Sequence, residues 1–157
     1  MHIQIISELV LLLVIANGAP VFSAMLLGKR LNWPLDGNLR FLDGHPILGP
    51  AKTLRGLLSA ILVTSLVAPL FGLAPAQGAA FGLLAMLGDL TSSFLKRRLG
   101  VTPSHSAPLL DQLPETLLPL LVMRPVLAAS ITEILVAALV FVVIDLLLSW
   151  LRDKWSF

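Results

Sequence analysis

The residues of this chain that can do chemistry fall into two short blocks. The first holds Asp43-Gly44-His45-Pro46 and continues to Gly49-Pro50-Ala51-Lys52-Thr53-Leu54-Arg55-Gly56. The second holds Gly88-Asp89, Ser92-Ser93 and Lys96-Arg97-Arg98, followed by Pro108-Leu109-Leu110-Asp111-Gln112-Leu113. On a helix, Ser92, Ser93 and Lys96 lie three, four and seven residues beyond Asp89 and share its face, with Arg97 close to it. A carboxylate, hydroxyls and a cation along one stripe suit a phosphate and a hard metal ion. Mg²⁺ is held by one or two carboxylates together with substrate phosphates. Asp111 offers a second carboxylate, and a metal clamp stabilises phosphoryl transfer by neutralising the attacking and leaving oxygens.

In the first block the glycines let backbone amides approach a phosphate, while Lys52 and Arg55 neutralise its charge and Thr53 adds a hydroxyl. His45 offers an acid, a base or a phosphate donor. The order is not that of a P-loop. Each group also has a plainer role. Asp89 can pair with Lys96 or Arg97 at a helix end, and Asp111 can cap a helix begun by Pro114 and Glu115. Asp43 can form a turn before Gly44, His45 can sit in solvent, and Lys96-Arg97-Arg98 can meet anionic headgroups.

These blocks need elements to position them. The chain has 157 residues, 57% hydrophobic and 13% charged, against about 25% charged in a soluble domain. Its mean hydropathy is +0.92. The composition predicts a single all-α integral membrane domain. The absence of cysteine excludes disulfides and thiolate-held metals. The first segment lacks the basic start of a cleaved signal peptide and reads as a retained span. A span needs roughly 20 apolar residues. The pattern predicts five transmembrane helices at about 5–27, 54–71, 77–95, 109–123 and 125–151. Gly72, Pro75 and Gly78 break the long apolar stretch between the second and third.

The polar segments 28–53 and 96–107 then become loops on one side, together with the C-terminus. Ten of the eleven Lys and Arg residues fall on that side, and only Arg124 lies opposite. This bias places the N-terminus outside and both loops and the C-terminus in the cytoplasm. Glu133 and Asp145 lie within the last span, where ionisable groups are functional candidates. Glu133 is near enough to the outer end to reach water. Asp145 can pair with Arg152 or reach the cytoplasmic site.

Gly88-Asp89-x-x-Ser92-Ser93-x-x-Lys96-Arg97-Arg98-x-Gly100 and Pro108-Leu109-Leu110-Asp111-Gln112-Leu113 together resemble the CDP-archaeol synthase family, which is similar to the C-terminal part of the CDP-diacylglycerol synthases. Gly44-His45-Pro46-x-x-Gly49-Pro50-x-Lys52-Thr53-x-Arg55-Gly56 extends the resemblance upstream. It implies a Mg²⁺-dependent nucleotidyltransferase of phospholipid biosynthesis that joins CTP to a membrane lipid phosphate. Asp89 and Asp111 are then expected as metal ligands, with Asp89, Asp111 and Lys96 catalytic. Lys52, Thr53, Arg55, Ser92, Ser93, Arg97 and His45 are expected to bind substrate. The larger synthases carry further aspartates here, whereas Val101 to Ala107 has no acid and Pro108 to Leu113 has one.

The expected protein is therefore a multi-pass cell-membrane cytidylyltransferase whose site faces the cytoplasm. Its partners are CTP, a lipid phosphate and the bilayer, with no nucleic acid; a homodimer is one assembly the sequence leaves open. A non-enzymatic protein that docks anionic lipids, and transfer to a prenyl phosphate, are the other readings. Docking explains the lysines and arginines but not the aspartates among them.

Overall fold

The computed structural model describes residues 2–101 and 110–155, with backbone alone at 152, 153 and 155. Six α-helices follow in order: α1 (Ile3–Leu27), α2 (Leu54–Val67), α3 (Pro75–Arg98), α4 (Gln112–Val122), α5 (Arg124–Leu127) and α6 (Ile131–Trp155). A 3₁₀ turn, Ala68–Phe71, prolongs α2 and ends at Gly72, whose φ of 70° only glycine adopts freely. Among the described residues, four stretches are long and apolar enough to cross a membrane: Ile3–Leu27, Leu54–Phe71, Pro75–Arg98 and Ile131–Leu151. The core joins Leu9, Leu12 and Leu13 of α1 to Phe81 and Ala85 of α3, Leu120 of α4, and Ile134, Ala137 and Phe141 of α6. Leu66, Leu70 and Leu139 face outward, as lipid-facing side chains do.

Two boundaries differ from those the sequence suggests. The segment expected as one helix over 125–151 is two. The chain turns at Ala128, with φ of 50°, and α6 restarts after Ser130. The restart is a capping box: Glu133 N donates to Ser130 Oγ at 3.2 Å, and Ser130 N donates to Glu133 Oε2 at 2.9 Å. Glu133 also accepts from His2 N, so it is buried at a helix junction instead of reaching water. The helix expected at 109–123 is the 11-residue α4, outside the four long stretches. It rises roughly 16 Å, about half the hydrocarbon thickness. Residue 109 lies outside the described residues.

Packing of α3 depends on glycine. Gly78 and Gly82 face Thr64, Ala60 and Ala68 of the α2 hairpin so closely that a Cβ would strike backbone. Small residues let membrane helices approach in this way. Gly88 meets Pro114 and Glu115 of α4 with the same intimacy.

Candidate active site

The loop between α1 and α2 is ordered by its own polar groups. Leu35 N donates to Lys52 O and Leu54 N to Trp33 O, while Phe41 N donates to His45 O. These make two nested antiparallel pairings. The Asp36 carboxylate accepts from Asn38 N, Leu48 N and Gly49 N. Burial pushes the Asp36 carboxyl up, but these backbone donors outweigh it and hold the pKa below its ordinary value. Arg98 ties the loop to α3: it donates to Asp43 Oδ1 at 3.0 Å and Pro46 O at 2.6 Å, and sits over the rings of Phe41 and Phe94. Thr53 caps α2, its Oγ1 accepting from Gly56 N. The loop therefore arrives at α2 in a fixed register with Lys52 aimed at α3.

Lys52 Nζ reaches both carboxylate oxygens of Asp89 at 2.6 Å. Lys96 Nζ lies 2.7 Å from Asp111 Oδ1. Both pairs bridge separate elements and are about a fifth exposed, their side chains 24% and 21%, and 13% and 25%, accessible. They line one cavity of about 480 Å³ with Thr53, Glu115, Asp145, Ser149 and Asn17. Asp89, Asp111 and Asp145 set three carboxylates against the two ammonium groups of Lys52 and Lys96, with the buried Glu115 side chain beside them. A bare polyanion is poorly attracted to such a wall; one that arrives with a divalent cation matches it.

Asp89 thus pairs with neither Lys96 nor Arg97, the partners its helix face suggested; the loop supplies Lys52 instead. Asp111 precedes α4 without capping it through its side chain, which turns to Lys96. Lys52, Thr53, Asp89, Lys96 and Asp111 share the cavity wall. The other expected binders stand away from it. Arg55 donates to Gly28 O and Arg30 O at 2.8 Å and to Asn32 Oδ1, fastening the end of α1. Arg97 is buried and donates to Val101 O. Ser92 and Ser93 are buried, and Ser92 Oγ donates to Gly88 O and Asp111 O, joining α3 to the start of α4. His45 is exposed on the loop. Pro108 and Leu109 of the second motif lie outside the described residues.

Two wall residues escaped sequence reasoning or were ranked low. Glu115, whose place in the first turn of α4 suggests only a helix-dipole role, is buried at 9% exposure. Its spacing of four from Asp111 was the available signal. Asp145 accepts from Gln112 Nε2 at 2.9 Å, which turns it toward the cavity.

Residues 76–155 match the family profile described as CarS-like, CDP-archaeol synthase. A protein from Hyperthermus butylicus named CDP-archaeol synthase is 48% identical over 104 residues, 62% of this chain and 59% of that protein. One of the same name from Thermofilum pendens is 42% identical over 104 residues, 63% of this chain and 51% of that one. The chain thus spans between half and two thirds of the length of these relatives. A third, from Pyrobaculum arsenaticum, is 34% identical over 131 residues, 79% of this chain and 76% of its own. A solved structure reported as an intramembrane enzyme for archaeal membrane lipids biosynthesis superposes with a TM-score of 0.75 at 34% identity, covering 90% of each chain. Together with the four long apolar helices, this likeness makes the chain a multi-pass membrane protein.

Proposed function

Since this chain belongs to the CDP-archaeol synthase family, we propose that it transfers CMP from CTP to a membrane lipid phosphate, giving a CDP-lipid and pyrophosphate. A lipid phosphate oxygen attacks the α-phosphorus of CTP. The new O–P bond forms as the bond to the β-phosphate oxygen breaks in line, and pyrophosphate leaves. No covalent intermediate on the protein is needed, because phosphoryl-type transfer asks mainly for positioning and charge neutralisation.

The paired lysines and aspartates supply both. As the nucleotide enters, Lys52 and Lys96 exchange their carboxylates for phosphate oxygens. That exchange frees Asp89 and Asp111 from their ion pairs. Gly88, Ser92 and the ordered loop hold the four groups against each other, so the reactants meet a preset geometry.

The donor set fits Mg²⁺. Asp89 and Asp111 are hard oxygen donors from two elements. Among the described residues no three His, Cys, Asp or Glu side chains stand close enough to form a metal site by themselves. A site completed by substrate phosphates and water is the arrangement Mg²⁺ favours. When bound, the ion would neutralise charge on the phosphates.

We place the cavity at the cytoplasmic interface of a five-span cell-membrane protein whose N-terminus is outside, with α4 and α5 together returning the chain across the membrane between α3 and α6. The Lys and Arg bias supports this orientation. The observation that carries the proposal is the joining of two Lys–Asp pairs from three segments in one cavity. Thermal protection of the purified protein tests it. CTP with Mg²⁺ should raise the melting temperature, and ATP with Mg²⁺ should not. Equal protection by both nucleotides, or by neither, would contradict the reading.

A further inference from the structure

The loop after α1 opens with Lys29-Arg30-Leu31-Asn32-Trp33, none of which lines the polar cavity. These residues run from one membrane-crossing helix to the next. Lys29 follows closely on Leu27, the last residue of α1, and Trp33 O accepts from Leu54 N, the first residue of α2, at 3.0 Å. Arg55 grips their inner side, its guanidinium donating to Gly28 O, Arg30 O and Asn32 Oδ1. The side chains of Lys29, Arg30, Leu31 and Trp33 are left exposed.

Leu31 is the unusual member. It stands in the left-handed region, with φ of 55°. That conformation suits glycine or asparagine and crowds a leucine. Yet Leu31 is 54% exposed, so little packing within the protein offsets the crowding. Outliers of this kind gather at functional positions. Trp33, two residues on, is 64% exposed. The apolar surface continues onto Met25 and Leu26 at the end of α1 and onto Leu54 and Leu58 at the start of α2, all of them exposed.

We propose that Lys29–Trp33 is a membrane anchor: Leu31 and Trp33 enter the interfacial layer of the bilayer, and Lys29 and Arg30 hold anionic lipid headgroups there. The proposal rests on the membrane placement of the chain and not on CMP transfer. Hydrocarbon gives way to headgroups where the spans end, tryptophan favours that level, and each Lys or Arg near an anionic surface adds attraction. A loop standing in water accounts for the two cations but gives a crowded, exposed leucine nothing to do. The anchor also bears on the polar cavity. Leu35 N donates to Lys52 O, and the bond between Trp33 and Leu54 lies just beyond, so the anchored segment is laced to the stretch that carries Lys52 and Thr53. Its depth sets the height of Lys52 against the lipid phosphates.

Trp33 is the probe. In a chain carrying Trp150→Phe and Trp155→Phe, reconstituted in vesicles, its fluorescence is quenched by phosphatidylglycerol or by phosphatidylcholine brominated on the acyl chain. Both lipids should quench, with the anionic one favoured about fivefold or more, the attraction that one surface cation supplies. Lys29→Gln with Arg30→Gln should abolish that preference. Leu31→Asn keeps the left-handed backbone and makes the side chain polar. It should weaken quenching by both lipids and raise the KM for a lipid phosphate in vesicles with kcat unchanged, and Leu31→Met should restore both. The melting temperature of Leu31→Asn in detergent should match or exceed that of its parent, which also reports that it is folded. Trp33 that neither lipid quenches, that both quench equally, or that is quenched as before in Leu31→Asn would overturn the proposal. Selective quenching by the anionic lipid in a native protein that transfers no CMP would sustain the anchor and defeat only the reaction.

Discussion

Gly88→Ala probes how the two halves of the site are held together. A Cβ at this position would fall inside contact distance of Pro114 O, Pro114 C and Glu115 Cα. All are backbone atoms at the start of α4, so no side chain can swing away to make room. The first turn of α4 must shift by roughly 1 Å, in a site where such a displacement typically costs on the order of 100-fold in rate. Asp111 and Glu115 would move with it, away from Lys96 and Asp89. Overpacking against backbone costs about 1–3 kcal/mol, or several degrees of melting temperature for a chain of this size.

The matched control is Gly18→Ala, where the added methyl meets open space. Its stability should be unchanged or raised by about 0.5–1 kcal/mol, the ordinary gain of alanine over glycine in a helix. The assay is thermal unfolding in detergent beside CMP transfer under saturating Mg²⁺. Native activity and native melting temperature in Gly88→Ala would refute the close-approach argument.

Further outcomes follow from the same geometry. Asp89→Asn should abolish turnover while leaving the fold intact; because it also releases Lys52, CTP binding should depend less on Mg²⁺, which titration of CTP protection against Mg²⁺ would read. Arg55→Met should lower stability by about 1–3 kcal/mol, since Gly28 O and Arg30 O lose their donor, yet leave the KM for CTP within about threefold, given that Arg55 is off the cavity wall. Asp36 has a folded pKa below its ordinary value, so its contribution is present above the unfolded Asp range near about pH 3.9 and is lost as pH falls through the folded value. The stability gap between the native protein and Asp36→Asn should therefore be constant near neutrality and narrow below about pH 4; a gap that stays flat down to pH ~3 would remove Asp36 from the loop's support.

Much of this was written in local sequence. Uncharged windows located α1, α2 and α3, because bilayer thickness fixes how long an apolar run must be. The break before α6 was also legible in principle: Ser130-Ile131-Thr132-Glu133 has the Ser-x-x-Glu spacing of a capping box, and its apolar surroundings concealed it. Lys52, Asp89, Lys96 and Asp111 were found by residue type, and the fold brings them to one cavity.

What local spacing does not encode is partner choice. Asp89 and Lys96 share a helix face, yet each is claimed by a residue from another segment, at 2.6 and 2.7 Å. Arg55 and Arg97 have the charge of phosphate binders, but nearby carbonyls at the end of α1 and beyond α3 occupy them first. Glu115 looked like a first-turn acid until Gly88 drew α4 against α3 and put it on the wall.

The central claim is that the paired lysines and aspartates move a cytidylyl group onto a lipid. Its most direct test follows label from CTP into lipid, with purified protein, Mg²⁺ and micelles containing either phosphatidate or an archaeol-type ether phosphate. The account predicts a labelled CDP-lipid from at least one acceptor, dependent on Mg²⁺ and absent with Asp89→Asn. Folded native protein that labels neither lipid, or Asp89→Asn that labels as well as the native chain, would contradict it.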